Sequence, residues 1–482
     1  MRLGVKSLLV FSYFCAANIE IQSMEQSSVI NSKAVPKRAC FLFFFLFCNG
    51  LSAQNAPAFS GSGSQIGTPF IRNYAPIEYG GHNQNWGIVQ DQRGVIYFGN
   101  SHGLMEYDGV SWRLTQIPNA KIARSLAIGM NDRIFVGGYG EFGYMVPNAA
   151  HQLQFVSLLP QLEERHRDFT DVWQTLSMPD GIYFITHKYI FRWNGERMRV
   201  WEARTAFNSG FLVNNQFYVH QKETGLMQIV GDALQPAPQG EKLANERISA
   251  MLSFNHEGQK SILIATRNNG LFLYNGASLV RFATEVDGLL RQAPVFCAAG
   301  LSNGHYALGT MQRGIVIIDA KGKLRQHLEE AGGLQDDAVL SLYEDRQHAL
   351  WAGMQVGIAR VETGSPLSYF DERQGIRGSI WDMLRYEGRL YLASIMGLFY
   401  LDENTGAFRQ VKGVSSQCWT LLPFGKSLLA GTFDGVFEIK NGQVRRISDD
   451  FTFSLHRSQQ DSRRVFAGLR NGIKSFYAEG EQ

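Results

Sequence analysis

A glycine returns every 36 to 46 residues along most of this chain, each time between two short apolar runs. GVIYFGNSHGLMEYDG stands at 94–109, LIATRNNGLFLYNG at 263–276 and WAGMQVGIARVETG at 351–364. LLAGTFDGVFEIKNG (428–442) and VFAGLRNGIKSF (465–476) continue the series. Aligned on that position, the units carry Gly103, Gly143, Tyr189, Gly225, Gly270, Gly314, Gly357, Gly397, Gly435 and Gly472. The third unit keeps the apolar pattern but has Tyr189 in place of the glycine. A repeat of this length cannot bury its apolar residues alone, so neighbouring units must cover one another.

One unit reads as four short strands. In WGIVQDQRGVIYFGNSHGLMEYDGVSW (86–112), Asp91–Gly94, Asn100–Gly103 and Asp108–Gly109 separate four apolar runs. The glycine before the third run permits a positive φ at a tight turn. The second and third runs are nearly continuous in apolar residues, which suits strands covered on both faces. A β-helix or a stack of hairpins is the competing reading, but a β-helix repeats on a shorter period. The expected fold class is all-β: a β-propeller with a seven-bladed first ring, followed by about three blades of an incomplete second one. Long amphipathic helical periodicity is missing from the sequence; QLEERHRDF (161–169) is at most a short helix or a charged loop.

The seven-plus-three division rests on two similar runs. TPFIRNYAPIEYGGHNQNW (68–86) has the form of an outer strand leading into the next unit's inner strand. SPLSYFDERQGIRGSIW (365–381) repeats that form seven units later. The expected organisation is a lead-in at 54–80 with a ring-closing strand, a seven-unit propeller at 81–365, and three units of a second, truncated propeller at 366–482. The lead-in would supply the outer strand of the unit around Gly357, removing an open edge. The run at 366–371 would then be free to open the second ring.

The first 53 residues differ in kind. Lys37-Arg38-Ala39 precedes CFLFFFLFC and then Gly50-Leu51-Ser52-Ala53, the order of a secretory signal peptide. Its apolar core is too short to span a bilayer, and Met24 offers an alternative start with the basic flank in its normal place. Export to the periplasm is the expectation. This segment holds five of the 46 Lys/Arg and two of the 43 Asp/Glu, so the remainder has equal numbers of each sign. Nothing in that balance points to nucleic acid or an anionic membrane surface. Only Cys297 and Cys418 remain beyond the leader, in separate units, and they read as small core residues.

A search for chemistry yields no zinc spacing, calcium loop, phosphate loop or nucleophile elbow, so no catalytic residue, metal or cofactor is assigned. Asp91 and Asp345 stand in turns that open a second strand, where Asp caps backbone amides. The candidate ligand residues sit where each first strand begins: Asn85, Trp86, Arg124, Asp171, Trp173, Arg247, Trp381 and Trp419. First strands surround a propeller's axis, so their leading loops converge on one mouth. Indole rings and polar groups there suit an oligosaccharide or another small polar ligand. The same tryptophans also fit blade-core packing: Ile88, Met383 and Leu421 follow Trp86, Trp381 and Trp419 at strand spacing. Arg124, Asp171 and Arg247 are therefore the stronger mouth candidates.

The units resemble two-component regulator propeller repeats. The typical form runs from a strand and Asp-x-x-Gly turn through apolar-Trp/Tyr-Phe-Gly-Thr-x-x-Gly-Leu to Tyr-Asp-Gly. VQDQRGVIYFGNSHGLMEYDG (89–109) matches almost throughout, and YEDRQHALWAGMQVGIARVETG (343–364) matches with His348 in place of the turn glycine. The resemblance spans 81–476 and is weakest around Tyr189 and Gly225. It implies the periplasmic sensor of a bacterial transmembrane regulator. In that family two seven-bladed propellers commonly precede a three-tyrosine β-sandwich, a membrane helix and a cytoplasmic output domain. Sensed ligands are often oligosaccharides. The sequence stops at Gln482 inside the tenth unit, so the expectation is a fragment without its membrane and output domains, binding without catalysis. Membrane contact would come only through the missing C-terminal segment, and the full-length protein is a candidate homodimer. A secreted propeller enzyme on polysaccharide, hydrolase or lyase, and a protein-binding scaffold are the alternatives.

Overall fold

The structure, a computed structural model, describes residues 67–256, 258–403 and 405–477. The expected leader (1–53), the alternative start at Met24 and the first part of the lead-in (54–66) lie outside the described residues. Among the described residues, no helix is long and apolar enough to cross a membrane.

The described chain is nearly all antiparallel β-sheet, in ten sheets that follow one another along the sequence. Blade 1 shows why each unit folds alike. Its strands are Asn85–Gln90, Ile96–Asn100, Gly103–Tyr107 and Trp112–Thr115, paired in that order. Asp91 Oδ1 accepts the Val95 amide at 2.9 Å and so closes the first turn. Asp345 Oδ1 does the same for Gln347 and Ala349 in blade 7. Gly103 has φ +137°, and a Cβ there would lie 2.3 Å from the Thr115 carbonyl oxygen. At Gly143, Gly314 and Gly435 too, the third strand starts with backbone pressed against the fourth, where a Cβ has no room. Tyr189 escapes the rule because its backbone does not take a positive φ; its ring is buried in one cluster with Phe191 and Phe169. His348, in place of a turn glycine, takes φ +64°. Residues 159–166 form two short 3₁₀ turns rather than a helix.

Seven of the sheets close a circuit. The first strand of each blade lies beside that of the next, and the first strand of blade 7 (Val339–Glu344) lies beside that of blade 1. The same device links successive blades: Ser125 Oγ donates to the Val172 carbonyl, Ser209 Oγ to Ile248 and Ser249 Oγ to Val295. Ser341 Oγ completes the circle by donating to the Asn85 carbonyl at 3.2 Å. The short strand Ile71–Tyr74 forms the fourth strand of blade 7, pairing with Ile358–Val361 from Ile71↔Val361 to Tyr74↔Ile358. Segments almost 290 residues apart thus share one sheet, and the edge of Ile358–Val361 is covered.

Packing between blades supplies the stability. In blade 6, the strands Tyr306–Thr310 and Ile315–Ile318 are buried at every residue. Each fully buried Ile, Val or Leu contributes about 1.5–3 kcal/mol relative to exposure.

Blades 8 to 10 continue the series, their first strands Ile380–Tyr386, Cys418–Phe424 and Thr452–Arg457 lying side by side. Blade 10 has three strands among the described residues. The run at 366–371 forms no strand of its own: Tyr369 makes a single antiparallel bridge with Thr68. Both flanks of this series meet solvent. Trp381 and Met383 are 56% and 61% exposed on blade 8, and Ile473 and Tyr477 are 77% and 47% exposed on blade 10. Uncovered sheet faces lower local stability. In hydrogen-exchange mass spectrometry, the amides of Thr452–Arg457 and Gly472–Tyr477 are expected to exchange well before those of Tyr306–Thr310. Equal protection of these strands would contradict the account.

Candidate functional site

A bulge sets the geometry of the first ring's mouth. In blade 1, Asn85 pairs with Asn100 and Gly87 with Gly99, so Trp86 is an extra residue opposite none. The same shift falls at Arg124, Asn208, Ser249, Phe296 and Leu340 in blades 2, 4, 5, 6 and 7. In blade 3, the Trp173 amide donates to the Ile185 carbonyl just before the ladder begins at Gln174. The residue before each bulge is buried between blades, as Asn85, Ala123, Phe207 and Val295 show. The bulged residue lines a cavity of about 500 Å³ to which all seven blades contribute.

At the centre of this wall Arg124 is gripped on three sides. Its guanidinium carbon lies 4.0 Å from the Trp86 ring centroid and 4.9 Å from that of Trp173. Its Nε and Nη2 both donate to Asp171 Oδ1, at 2.9 and 2.8 Å. Arg124 and Asp171 side chains are 11% and 16% exposed, so the pair is largely desolvated. Trp86 Nε1 donates to Ser101 Oγ at 2.9 Å, whereas the buried Trp173 Nε1 has no hydrogen-bond partner among the described residues. The indole faces turned to Arg124 are therefore occupied by a cation, so they are not the free platforms for a sugar that the sequence suggested.

Blade 5 supplies two more guanidinium groups. Arg247 precedes the strand Ile248–His256 and Arg267 follows Gln259–Thr266; the Arg267 amide donates to the Arg247 carbonyl at 2.8 Å. Arg267 lies 5.2 Å from the Phe296 ring centroid. Burial, with the neighbouring Arg247 charge adding to it, holds the Arg267 pKa below the usual guanidinium range. His187 places Nδ1 2.8 Å from the Phe207 carbonyl oxygen, which fixes the ring in the wall.

The eight residues grouped at one mouth by sequence separate in space. Trp86, Arg124, Trp173 and Arg247 line the cavity, and Asp171 stands behind Arg124. Asn85 does not face the cavity. It lies on the inner side of the bulge, fully buried, its Nδ2 donating to the Gly357 carbonyl and its Oδ1 accepting from Asn100. Trp381 and Trp419 belong to blades 8 and 9, outside a circle already closed by seven strands. Trp381 is exposed, and Trp419 packs 4.7 Å from Phe451 and 5.3 Å from Phe453. Sequence reasoning missed Arg267, Phe296, Asn208 and His187. Arg267 and His187 occupy equivalent turns, each directly after the second strand of its blade, so an aligned column of that turn would have found them.

Beneath the wall, His220 is fully buried. Its Nε2 lies 2.8 Å from the Leu243 carbonyl oxygen and its Nδ1 accepts from Asn208 Nδ2 at 3.0 Å, the pattern of a neutral ring. Burial lowers its pKa from 6.5. Between that depressed value and 6.5 the unfolded chain binds a proton that the native protein does not, so stability falls as pH drops below 6.5. Melting temperatures from pH 8 to 5 are expected to fall less steeply for His220→Gln than for the parent below 6.5. Equal slopes would show that another group carries the effect.

No family model matches the sequence, and no curated protein matches it. Solved structures do match. The extracellular domain of a putative hybrid two component system from B. thetaiotaomicron superposes with a TM-score of 0.62 at 12% identity, over 86% of this chain and 60% of that one. The extracellular domain of another such system from the same organism gives 0.49 at 16% identity, over 84% and 66%. At these identities the likeness is one of fold. The chain spans about 60% of the length of the first of these neighbours.

Proposed function

We propose that this chain is the ligand-sensing propeller region of an exported bacterial regulator of the two-component type. It binds a small polar ligand, an oligosaccharide in the first instance, in the axial cavity of its first ring and performs no turnover of its own. The observation that carries the reading is the convergence of seven bulged strands on one cavity of about 500 Å³, with arginines in its wall. The fold-level likeness to extracellular domains of two component systems supports the sensor context. A glycoside hydrolase needs paired carboxylates, and among the described residues neither Asp nor Glu lines the cavity, which disfavours the hydrolase form of the enzyme alternative. Residues 366–482 read as the start of a second ring, whose exposed faces on blades 8 and 10 further blades of a longer chain would cover.

Calorimetric titration of the chain against an oligosaccharide panel, with product analysis of the same samples, tests this. Binding without product is expected, weakened about tenfold or more in Arg124→Ala and Arg247→Ala. Release of any hydrolysis or elimination product, or unchanged affinity in both variants, would contradict it.

A further inference from the structure

Accepting that the axial cavity holds a ligand, the charges of its wall point to what that ligand carries. We propose that the cavity selects an oxyanion-bearing ligand, a carboxylated or sulfated sugar, whose anionic group is held by Arg247 and Arg267 together. Arg124 does not compete for that anion, because Asp171 already neutralises it.

Partly buried arginines are matched with carboxylates: Arg192 with Asp180, Arg325 with Asp319, and Arg360 with Asp345 and Glu362. Half-buried Arg267 breaks this habit, and the exposed Arg247 stands beside it. Neither has a carboxylate partner or a side-chain hydrogen bond among the described residues. The nearest acid in sequence, Glu246, is engaged elsewhere, accepting from Asn269 Nδ2 at 2.7 and 2.9 Å. Two like charges from adjacent turns of one blade repel, and burial of Arg267 sharpens the cost of leaving them unmatched. Phe296 lies against Arg267, bracing the planar group while its N–H donors stay unused by protein. A fork of such donors matches the paired oxygens of a carboxylate or sulfate. Among the described residues no Asp or Glu lines the cavity, and Asp171 lies on the far side of Arg124.

Matched pairs of probes separate this inference from the reading beneath it. The full chain is titrated with trigalacturonate and its methyl ester, then with neocarrabiose sulfate and desulfated neocarrabiose. At least one charged member is expected to bind about 10–100-fold more tightly than its neutral partner. Preference within the first pair assigns a carboxylate, and within the second a sulfate ester. Arg267→Gln and Arg247→Gln should each reduce that preference to about threefold or less. Arg247 is exposed, so its variant remains informative even if Arg267→Gln disturbs packing. Equal binding of charged and neutral members, abolished in Trp86→Ala, would overturn the anion assignment and leave the sensor reading standing. Binding of none of the four would count against both.

Discussion

Trp351→Ala is expected to lower the stability of the first ring by about 4 kcal/mol, the largest effect of any single substitution considered. Trp351 is 2% exposed, on the second strand of blade 7. Its ring stacks on Tyr74 from the ring-closing strand at 5.7 Å and meets Phe98 of blade 1 edge-on at 5.5 Å. Its Nε1 donates to the buried Asp345 Oδ2 at 2.8 Å. Alanine would leave a cavity where three chain segments meet and take a donor from a buried carboxylate. Trp351→Phe keeps the stacking and loses the donor, so about 1–2 kcal/mol is expected. Removing residues 67–75 should be worse than either. It strips blade 7 of its fourth strand and exposes the edge Ile358–Val361 to pairing with other chains. Differential scanning calorimetry of the three variants gives the order. A Trp351→Ala melting temperature within a degree of the parent would contradict the seam described here.

The second large effect concerns the arginine clamp. Arg124→Ala takes the guanidinium from the Asp171 carboxylate and leaves two indoles facing an empty slot, and should cost about 2–4 kcal/mol. Asp171→Asn keeps shape and one hydrogen bond, so about 1–2 kcal/mol is expected. A surface ion pair would cost well under 1 kcal/mol in the same test. Denaturation by urea of both variants and of the double variant yields the coupling. Independent, additive losses would show that the two side chains do not act as a pair.

Much of this architecture is legible in the sequence because the physics that builds it is local. Gly103, Gly143, Gly314 and Gly435 recur because the third strand begins where a Cβ would strike the fourth. Asp91 and Asp345 recur because a two-oxygen side chain closes a turn on its own backbone amides. The site is less legible, for a reason equally specific. Strand alternation places Trp86 and Ile88 on one face, and that rule fails at a bulge, where one residue has no partner. The extra residue frees Trp86 and Arg124 from the packed face and turns them to the axis. Which units share a mouth is a matter of closure. Trp381 and Trp419, in blades 8 and 9, stand where Trp86 does in blade 1, yet the circle closes at seven strands and excludes them. The partnerless state of Arg267 depends on what surrounds it in space, which no spacing along the chain encodes.

The account stands or falls on where a ligand meets the chain, and hydrogen-exchange mass spectrometry in the presence of a binding oligosaccharide locates it directly. Added protection is expected in the segments around the bulges of the first ring: 85–88, 123–126, 172–175 and 247–250. Protection confined to 379–383 and 417–420, with the first ring unchanged, would place the ligand on the open blades and contradict the axial site.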